Sequence, residues 1–126
     1  MSEKLVMYVS QQNIIRAYRV VRLEQRLIPD QTRLIPNYPN PSNPETWIPF
    51  EIDRDSEVSI TIYDISGTSI RTIRVGYVEA GRYRSQSKAV YWDGKTDTGE
   101  RVASGVYFYT LRADMSRYTR KMIVLK

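Results

Sequence analysis

The chain has 126 residues, of which 41% are hydrophobic and 26% charged, a balance that suits one globular domain with an appendage rather than two full cores. It contains no His and no Cys, which removes Ser-His-Asp and Cys-His catalysis, thiolate zinc sites and imidazole-held metals together. The formal charge of +5 is uneven: residues 1–35 carry six basic against three acidic side chains, and residues 36–126 thirteen against eleven. The basic excess therefore belongs to the N-terminal part and reads first as solubility rather than as a nucleic-acid surface.

The chain opens with a short apolar run, Leu5-Val6-Met7-Tyr8-Val9. It falls well short of the ~20 residues of a membrane span and of the ~7–15-residue apolar stretch of a secretory signal. A protein acting outside the cell would then use this chain as the C-terminal piece of something longer. From Gln11 to Ile28, the residues Ile14, Ala17, Tyr18, Val21, Leu27 and Ile28 roughly trace a helical face, with Ser10 or Asn13 as its cap. The same stretch is rich in β-branched residues, so a pair of strands is the alternative. Arg16, Arg19, Arg22 and Arg26 recur every three or four residues and would form a basic stripe on a helix. Such a stripe suits an acidic partner, a lipid surface or nucleic acid, and equally a solvated face or linker. Residues 1–35 are read as an arm.

All six prolines lie between Pro29 and Pro49. Pro36, Pro39, Pro41 and Pro44 lack an amide donor, fix φ and disfavour helix before them, and Asn37, Asn40, Ser42 and Asn43 supply turn-forming side chains. This segment marks the start of a domain over 36–126. Thr46 to Ile52 then alternates as a strand, with Pro49 marking an edge or bulge. Ser56 to Asp64 alternates more cleanly, with Val58, Ile60 and Ile62 on one face. Asp64-Ile65-Ser66-Gly67 turns the chain into a strand from Thr68 to Val75, and Ala80-Gly81 turns it again before one or two strands between Arg82 and Trp92. Gly105 opens a strand through Arg112, and Arg117 to Leu125 forms the last. Consecutive strands with short turns and no helical period predict an all-β fold, an antiparallel sandwich of about seven strands.

Three groups of side chains invite a chemical role. Asp93, Asp97 and Glu100 offer hard oxygen ligands for calcium, but the spacing lacks the D-x-[DN]-x-[DN]-G pattern and Lys95 interrupts it, so a structural turn is the first reading and no resident metal is expected. Glu51, Asp53 and Asp55 form close carboxylate pairs without a polar partner set, and Asp53 to Ser56 reads as a solvated turn rather than a catalytic site. Tyr63, Tyr83, Tyr91, Tyr107 and Tyr109 fall on expected strands, where aromatics pack well. A sugar-binding sandwich would need several of them on one exposed face.

The segment Asn37-Tyr38-Pro39-Asn40-Pro41-Ser42-Asn43-Pro44-Glu45-Thr46 resembles the opening of the C-terminal sorting domains of the type IX secretion system. Trp92-Asp93-Gly94, Thr98-Gly99 and Val102 to Tyr109 are similar to the related FlgD-like Ig-like domain, and Thr119 to Lys126 is similar to that family's closing strand. The blocks run in order through residues 37–126. Ser42 departs from the pattern, which commonly has Phe there. The resemblance implies an immunoglobulin-like sandwich without a cofactor or enzymatic activity, part of an exported bacterial protein found outside the cell or at its surface. It also implies that Asn37, Tyr38, Pro39, Asn40, Pro41, Gly67, Gly105, Val106, Tyr107, Arg120, Lys121 and Lys126 serve sorting or recognition. The expected partner is a protein, either secretion machinery or a parent domain, with no nucleic acid. The alternatives are a structural subunit that self-assembles through residues 1–35 and, more remotely, an accessory carbohydrate-binding sandwich.

Overall fold

The computed structural model describes residues 28–126. The arginines Arg16, Arg19, Arg22 and Arg26 and, but for Ile28, the helical face expected in the arm lie outside the described residues, as does most of the segment through which self-assembly is expected. Nine strands follow: β1 (Arg33–Leu34), β2 (Thr46–Ile48), β3 (Phe50–Ile52), β4 (Ser56–Tyr63), β5 (Ser69–Val78), β6 (Gly81–Tyr83), β7 (Val90–Trp92), β8 (Gly105–Ala113) and β9 (Ser116–Val124). They form a four-stranded sheet in the order β5-β4-β8-β9, a three-stranded sheet β1-β3-β6 and a two-stranded sheet β2-β7. Every strand pairing is antiparallel. The fold is an Ig-like all-β sandwich.

The strand count exceeds the expected seven for identifiable reasons. Pro49 cannot donate to a ladder, and it divides the strand expected from Thr46 to Ile52. β2 pairs with β7, β3 pairs with β1 and β6, and the Pro49 carbonyl accepts from the Ile35 amide at 3.1 Å. The proline is thus the point where the chain changes sheets. The stretch from Arg82 to Trp92 is likewise two strands, β6 and β7, separated by a turn in which the Ser85 carbonyl accepts from the Lys88 and Ala89 amides. The packed unit also begins ahead of residue 36: Arg33 and Leu34 pair with Glu51 and Phe50, and Leu34 is buried. Proline composition marks the turn-rich segment, whereas β pairing and burial start just before it.

Period two in β4 does what it predicts. Val58, Ile60 and Ile62 are buried and meet Tyr107, Tyr109, Leu111 and Ala113 of β8 and Met122 and Val124 of β9 in one core. Ile48, Phe50, Ile52, Val90 and Trp92 complete it from the smaller sheets. Trp92 is fully buried, its ring edge-on to Tyr107 at 6.2 Å, and its Nε1 donates to the Lys95 carbonyl at 2.9 Å, which satisfies the one polar atom that burial would otherwise strand. Five other aromatics pack ring to ring: Tyr83 stacks on Phe50 at 4.8 Å, and Trp47 lies between Tyr38 and Tyr91 at 6.3 and 5.4 Å.

Two of the sequence blocks that resemble a family meet at Gly94. This residue has φ of +78°, and a Cβ there would lie 2.4 Å from Cβ of Pro44. The proline segment is therefore seated directly on the turn after Trp92. Gly94→Ala is expected to destabilise the domain by about 2 kcal/mol or more, combining left-handed backbone cost with the clash. Thermal or denaturant unfolding checks this; an unchanged midpoint would mean that the proline segment is not held against the turn.

Candidate functional site

The last two strands make a regular hairpin. β8 and β9 pair from Gly105↔Val124 to Ala113↔Ser116 with no register shift, closed by a turn in which Asp114 has φ of +51°. An antiparallel strand directs the backbone groups of alternate residues to opposite neighbours. Ile123 of β9 faces away from β8: its amide donates to Asn40 Oδ1 at 3.1 Å and its carbonyl accepts from the Ser42 amide at 2.9 Å. By the same alternation Arg117, Thr119 and Lys121 turn their backbone groups outward. No backbone partner faces these three among the described residues. The C-terminal end of β9 is clamped and its first half is an open edge.

The clamp is built by the proline segment. The Asn37 amide donates to Tyr109 Oη at 2.9 Å, Tyr109 Oη donates to the Ile35 carbonyl at 3.1 Å, and Asn37 Nδ2 donates to Thr46 Oγ1 at 2.9 Å. Tyr109 is fully buried, so its hydroxyl holds the segment from inside the core. Burial raises its pKa, more than the Asn37 amide and the Arg120 charge lower it. The Tyr38–Pro39 and Asn40–Pro41 peptides are cis, and Tyr38 exchanges two backbone hydrogen bonds with Trp47 at 2.9 and 2.8 Å. Ser42, where the resembling family commonly carries Phe, is fully buried; its carbonyl accepts from the Leu125 amide at 2.9 Å and its Oγ lies 3.4 Å from the Ile123 carbonyl. The departure exchanges an aromatic for a hydrogen-bonding side chain at the clamp.

The opposite edge of the four-stranded sheet is guarded. β5 carries two register shifts against β4, and the loop after Trp92 lies along it: the Asp97 amide donates to the Ile70 carbonyl at 2.9 Å and Asp97 Oδ1 accepts from the Thr72 amide at 3.1 Å. This assigns work to the loop weighed for calcium. Asp93 and Asp97 flank the Arg71 guanidinium at 3.5 and 3.8 Å, Asp93 accepts from the Lys95 amide, and Glu100 accepts from Thr98 Oγ1. Among the described residues no cluster of three acidic side chains could hold a metal ion. Asp93 and Asp97 are committed to a cation and to backbone amides, and Glu100 to a hydroxyl.

The remaining expected residues divide. Gly105 and Tyr107 stand on β8 opposite Val124 and Met122, and Tyr107 Oη donates to the Ala103 carbonyl at 2.7 Å. Val106 sits on the outer side of the same strand, opposite Ile123. The Lys126 amide donates to Ser104 Oγ at 2.9 Å, and Arg120 Nε reaches the Leu34 carbonyl at 2.6 Å, across a shallow cleft lined by Arg33, Tyr118 and Thr119. Lys121 is exposed. Gly67 stands apart, in a β4–β5 turn where Asp64 Oδ1 accepts from the Ser66 and Thr68 amides. These bonds, with the Ser66 hydroxyl first among them, hold the Asp64 carboxyl below its ordinary range.

One constellation was not visible as a unit in the sequence. Glu51, counted in a carboxylate pair with Asp53, is 1% exposed. Arg33 donates to its Oε1 at 3.0 Å, Arg84 Nε to its Oε2 at 2.8 Å, and Arg82 Nε lies 3.4 Å from Oε2. Burial alone would raise its pKa, but the hydrogen bonds and charges of Arg33 and Arg84 together outweigh it, and the carboxyl ends below its ordinary value. The arginines are themselves about half exposed, so water beyond them screens the cluster. Register could have hinted at it, because Arg33 and Arg82 stand directly across from Glu51 on both sides.

The FlgD Ig-like domain model matches residues 46–116, more than half of the chain, and the chain belongs to that family. In structure it is similar to dimeric latent PorU from Porphyromonas gingivalis, with a TM-score of 0.61 and 23% identity over 77% of this chain and 9% of that one. It is also similar to FlgD from P. aeruginosa, with a TM-score of 0.51 and 18% identity over 76% of this chain and 67% of that one. A third likeness, at a TM-score of 0.46 and 20% identity over 74% of this chain and 11% of that one, is to PorZ, a surface component of the type IX secretion system of P. gingivalis. At these identities the first two likenesses establish the fold. The chain spans about a tenth of the length of PorU. No curated protein matches it.

Two stability measurements test the site's construction. Tyr109→Phe keeps the ring but strands the buried Asn37 amide and the Ile35 carbonyl, and is expected to cost about 1–3 kcal/mol. Glu51→Gln is expected to cost about 1–3 kcal/mol at neutral pH, since three guanidinium groups lose their shared anion. Because the folded pKa of Glu51 lies below its ordinary value, its contribution is complete above about pH 4.5 and is lost as pH falls through the lowered value. Unfolding curves of wild type and Glu51→Gln should therefore converge in acid; a constant gap from neutral pH downward would contradict the assignment.

Proposed function

We propose that this FlgD Ig-like domain is a non-catalytic docking module of a longer exported bacterial protein, acting at the cell surface or outside the cell. The open half of β9 is where a protein partner, such as secretion machinery, adds a strand. The observation that carries this reading is the outward backbone of Arg117, Thr119 and Lys121, unpaired among the described residues, on a strand that stays in register with β8 throughout. Exposed edges of this kind template pairing with another chain. The opposite edge is bulged and covered, which directs such pairing to one side. Family membership and the likeness of the proline segment to sorting domains support the same reading.

Non-catalytic character is supported by how the ionisable groups are used. Glu51 is neutralised by arginines, Asp93 and Asp97 by Arg71, and Asp64 by its own turn. On this reading Asn37 to Pro41 and Tyr107 act by holding the strand in place, whereas Arg120, Lys121 and Lys126 meet the partner.

The test is export of a passenger fused ahead of the full chain in a bacterium with type IX secretion. Lys121→Pro removes an outward amide without removing a bond to β8, a position where an edge strand accepts proline. The expected result is a folded fusion that is retained while the wild type is exported. Export of Lys121→Pro at the wild-type level, or of a chain truncated after Asp114, would overturn the reading.

A further inference from the structure

The outer face of the four-stranded sheet, on the side away from the core, has an ordered composition that, Lys121 apart, strand docking at its edge does not use. Four threonines stand in one line across all four strands: Thr72, Thr61, Thr110 and Thr119 occupy successive register positions. Thr61 and Thr72 hydroxyls are 3.4 Å apart, and those of Thr110 and Thr119 are 2.7 Å apart. The next row on one side reads Arg74, Ser59, Arg112 and Arg117, and the row on the other side reads Tyr63, Phe108 and Lys121. Arg74, Arg112, Arg117, Thr119 and Lys121 are exposed.

Arg112 and Arg117 are direct cross-strand neighbours whose backbones do not bond each other, since Arg117 directs its groups outward. Such pairs bring Cα atoms to about 4.5 Å, and like charges there are destabilising. Neither arginine, nor Arg74 or Lys121, has a carboxylate within ion-pair distance among the described residues. Glu57 is the acidic side chain on this face, at its end beside Asp114, whose Oδ1 accepts the Glu57 amide. The domain thus maintains a like-charge row beside a row of hydroxyls, a combination complementary to a ligand carrying both anionic and hydroxyl groups.

We propose that this face binds an extended anionic polysaccharide, sulfated or carboxylated. The arginine row neutralises the acid groups, the threonine row exchanges hydrogen bonds with ring hydroxyls, and Tyr63 and Phe108 offer apolar ring surface to the sugar. The row runs one threonine per strand across strands about 4.8 Å apart, with its hydroxyls drawn into two pairs. A single-stranded nucleic acid is less well matched, because it requires a charged groove with several stacking platforms, whereas this face sets a row of hydroxyls between its arginine row and its two aromatic rings.

The full chain is titrated with dextran sulfate, polygalacturonate, neutral dextran and a poly-dT oligonucleotide at matched salt. Binding to at least one of the two anionic polysaccharides, and none to neutral dextran, is expected. Arg112→Gln/Arg117→Gln is expected to weaken it about tenfold or more, and Thr110→Val/Thr119→Val about threefold. The charge-matched double variant Arg54→Gln/Arg101→Gln, which lies off this face, should leave it nearly unchanged. Thermal unfolding of each variant confirms folding, and the Arg112/Arg117 variant is expected to melt higher than wild type at low salt. Equal weakening by the two arginine pairs would reduce the binding to net charge and overturn the proposal. So would oligonucleotide binding as tight as the polysaccharide's and insensitive to the threonine variant, or no binding to either polysaccharide.

Discussion

The Tyr109 hydroxyl is the point on which the arrangement depends. It sits at the end of a side chain wholly within the core, yet it accepts from Asn37 and donates to Ile35. A buried hydroxyl without partners would cost free energy, and so would the two backbone groups it serves. Each therefore requires the other. The consequence is that the proline segment, which has few amide donors of its own, is fixed against the sandwich, and its next residues reach the final strand. Asn40 and Ser42 then close the ends of β9 that face away from β8.

This clamp and the loop after Trp92 solve the same problem at the two edges of one sheet, to different extents. A strand edge left bare is a template for association. β5 is protected by register shifts and by Asp97, whose amide and carboxylate occupy the outward groups of Ile70 and Thr72. β9 is regular throughout and is covered from Ile123 onward, leaving Arg117 to Lys121 bare. The protection on one side makes the exposure on the other specific. The family match ends at residue 116, so the bare strand and the proline segment that clamps it both lie outside the matched span.

Alternation in β4 and β8 made the centre of the four-stranded sheet legible from the sequence, because one face of each is buried and the period is strict; in β9 only Met122 and Val124 are buried. The proline segment was legible too, since missing donors and fixed φ permit little else. The short strands were less so. Three-residue ladders such as β2 and β3 hold too few residues for a period to show, and their separation at Pro49 depends on which distant strand each one meets. The setting of Glu51 was hidden for a related reason: the sequence pairs it with Asp53, and only the register of β1 and β6 reveals that arginines cover it. The role of Asp93 and Asp97 was likewise hidden, because their common partner Arg71 is far away in sequence.

Residue-resolved amide hydrogen exchange of the full chain tests the half-open edge most directly. The account predicts alternation along β9: slow exchange at Tyr118, Arg120 and Met122, whose amides bond to β8, and fast exchange at Arg117, Thr119 and Lys121. Ile123 should break the series as a protected outward amide, held by Asn40. Uniform protection from Arg117 to Ile123 would show that the edge is already covered, and fast exchange at Ile123 would show that the clamp is not formed; either would contradict the account.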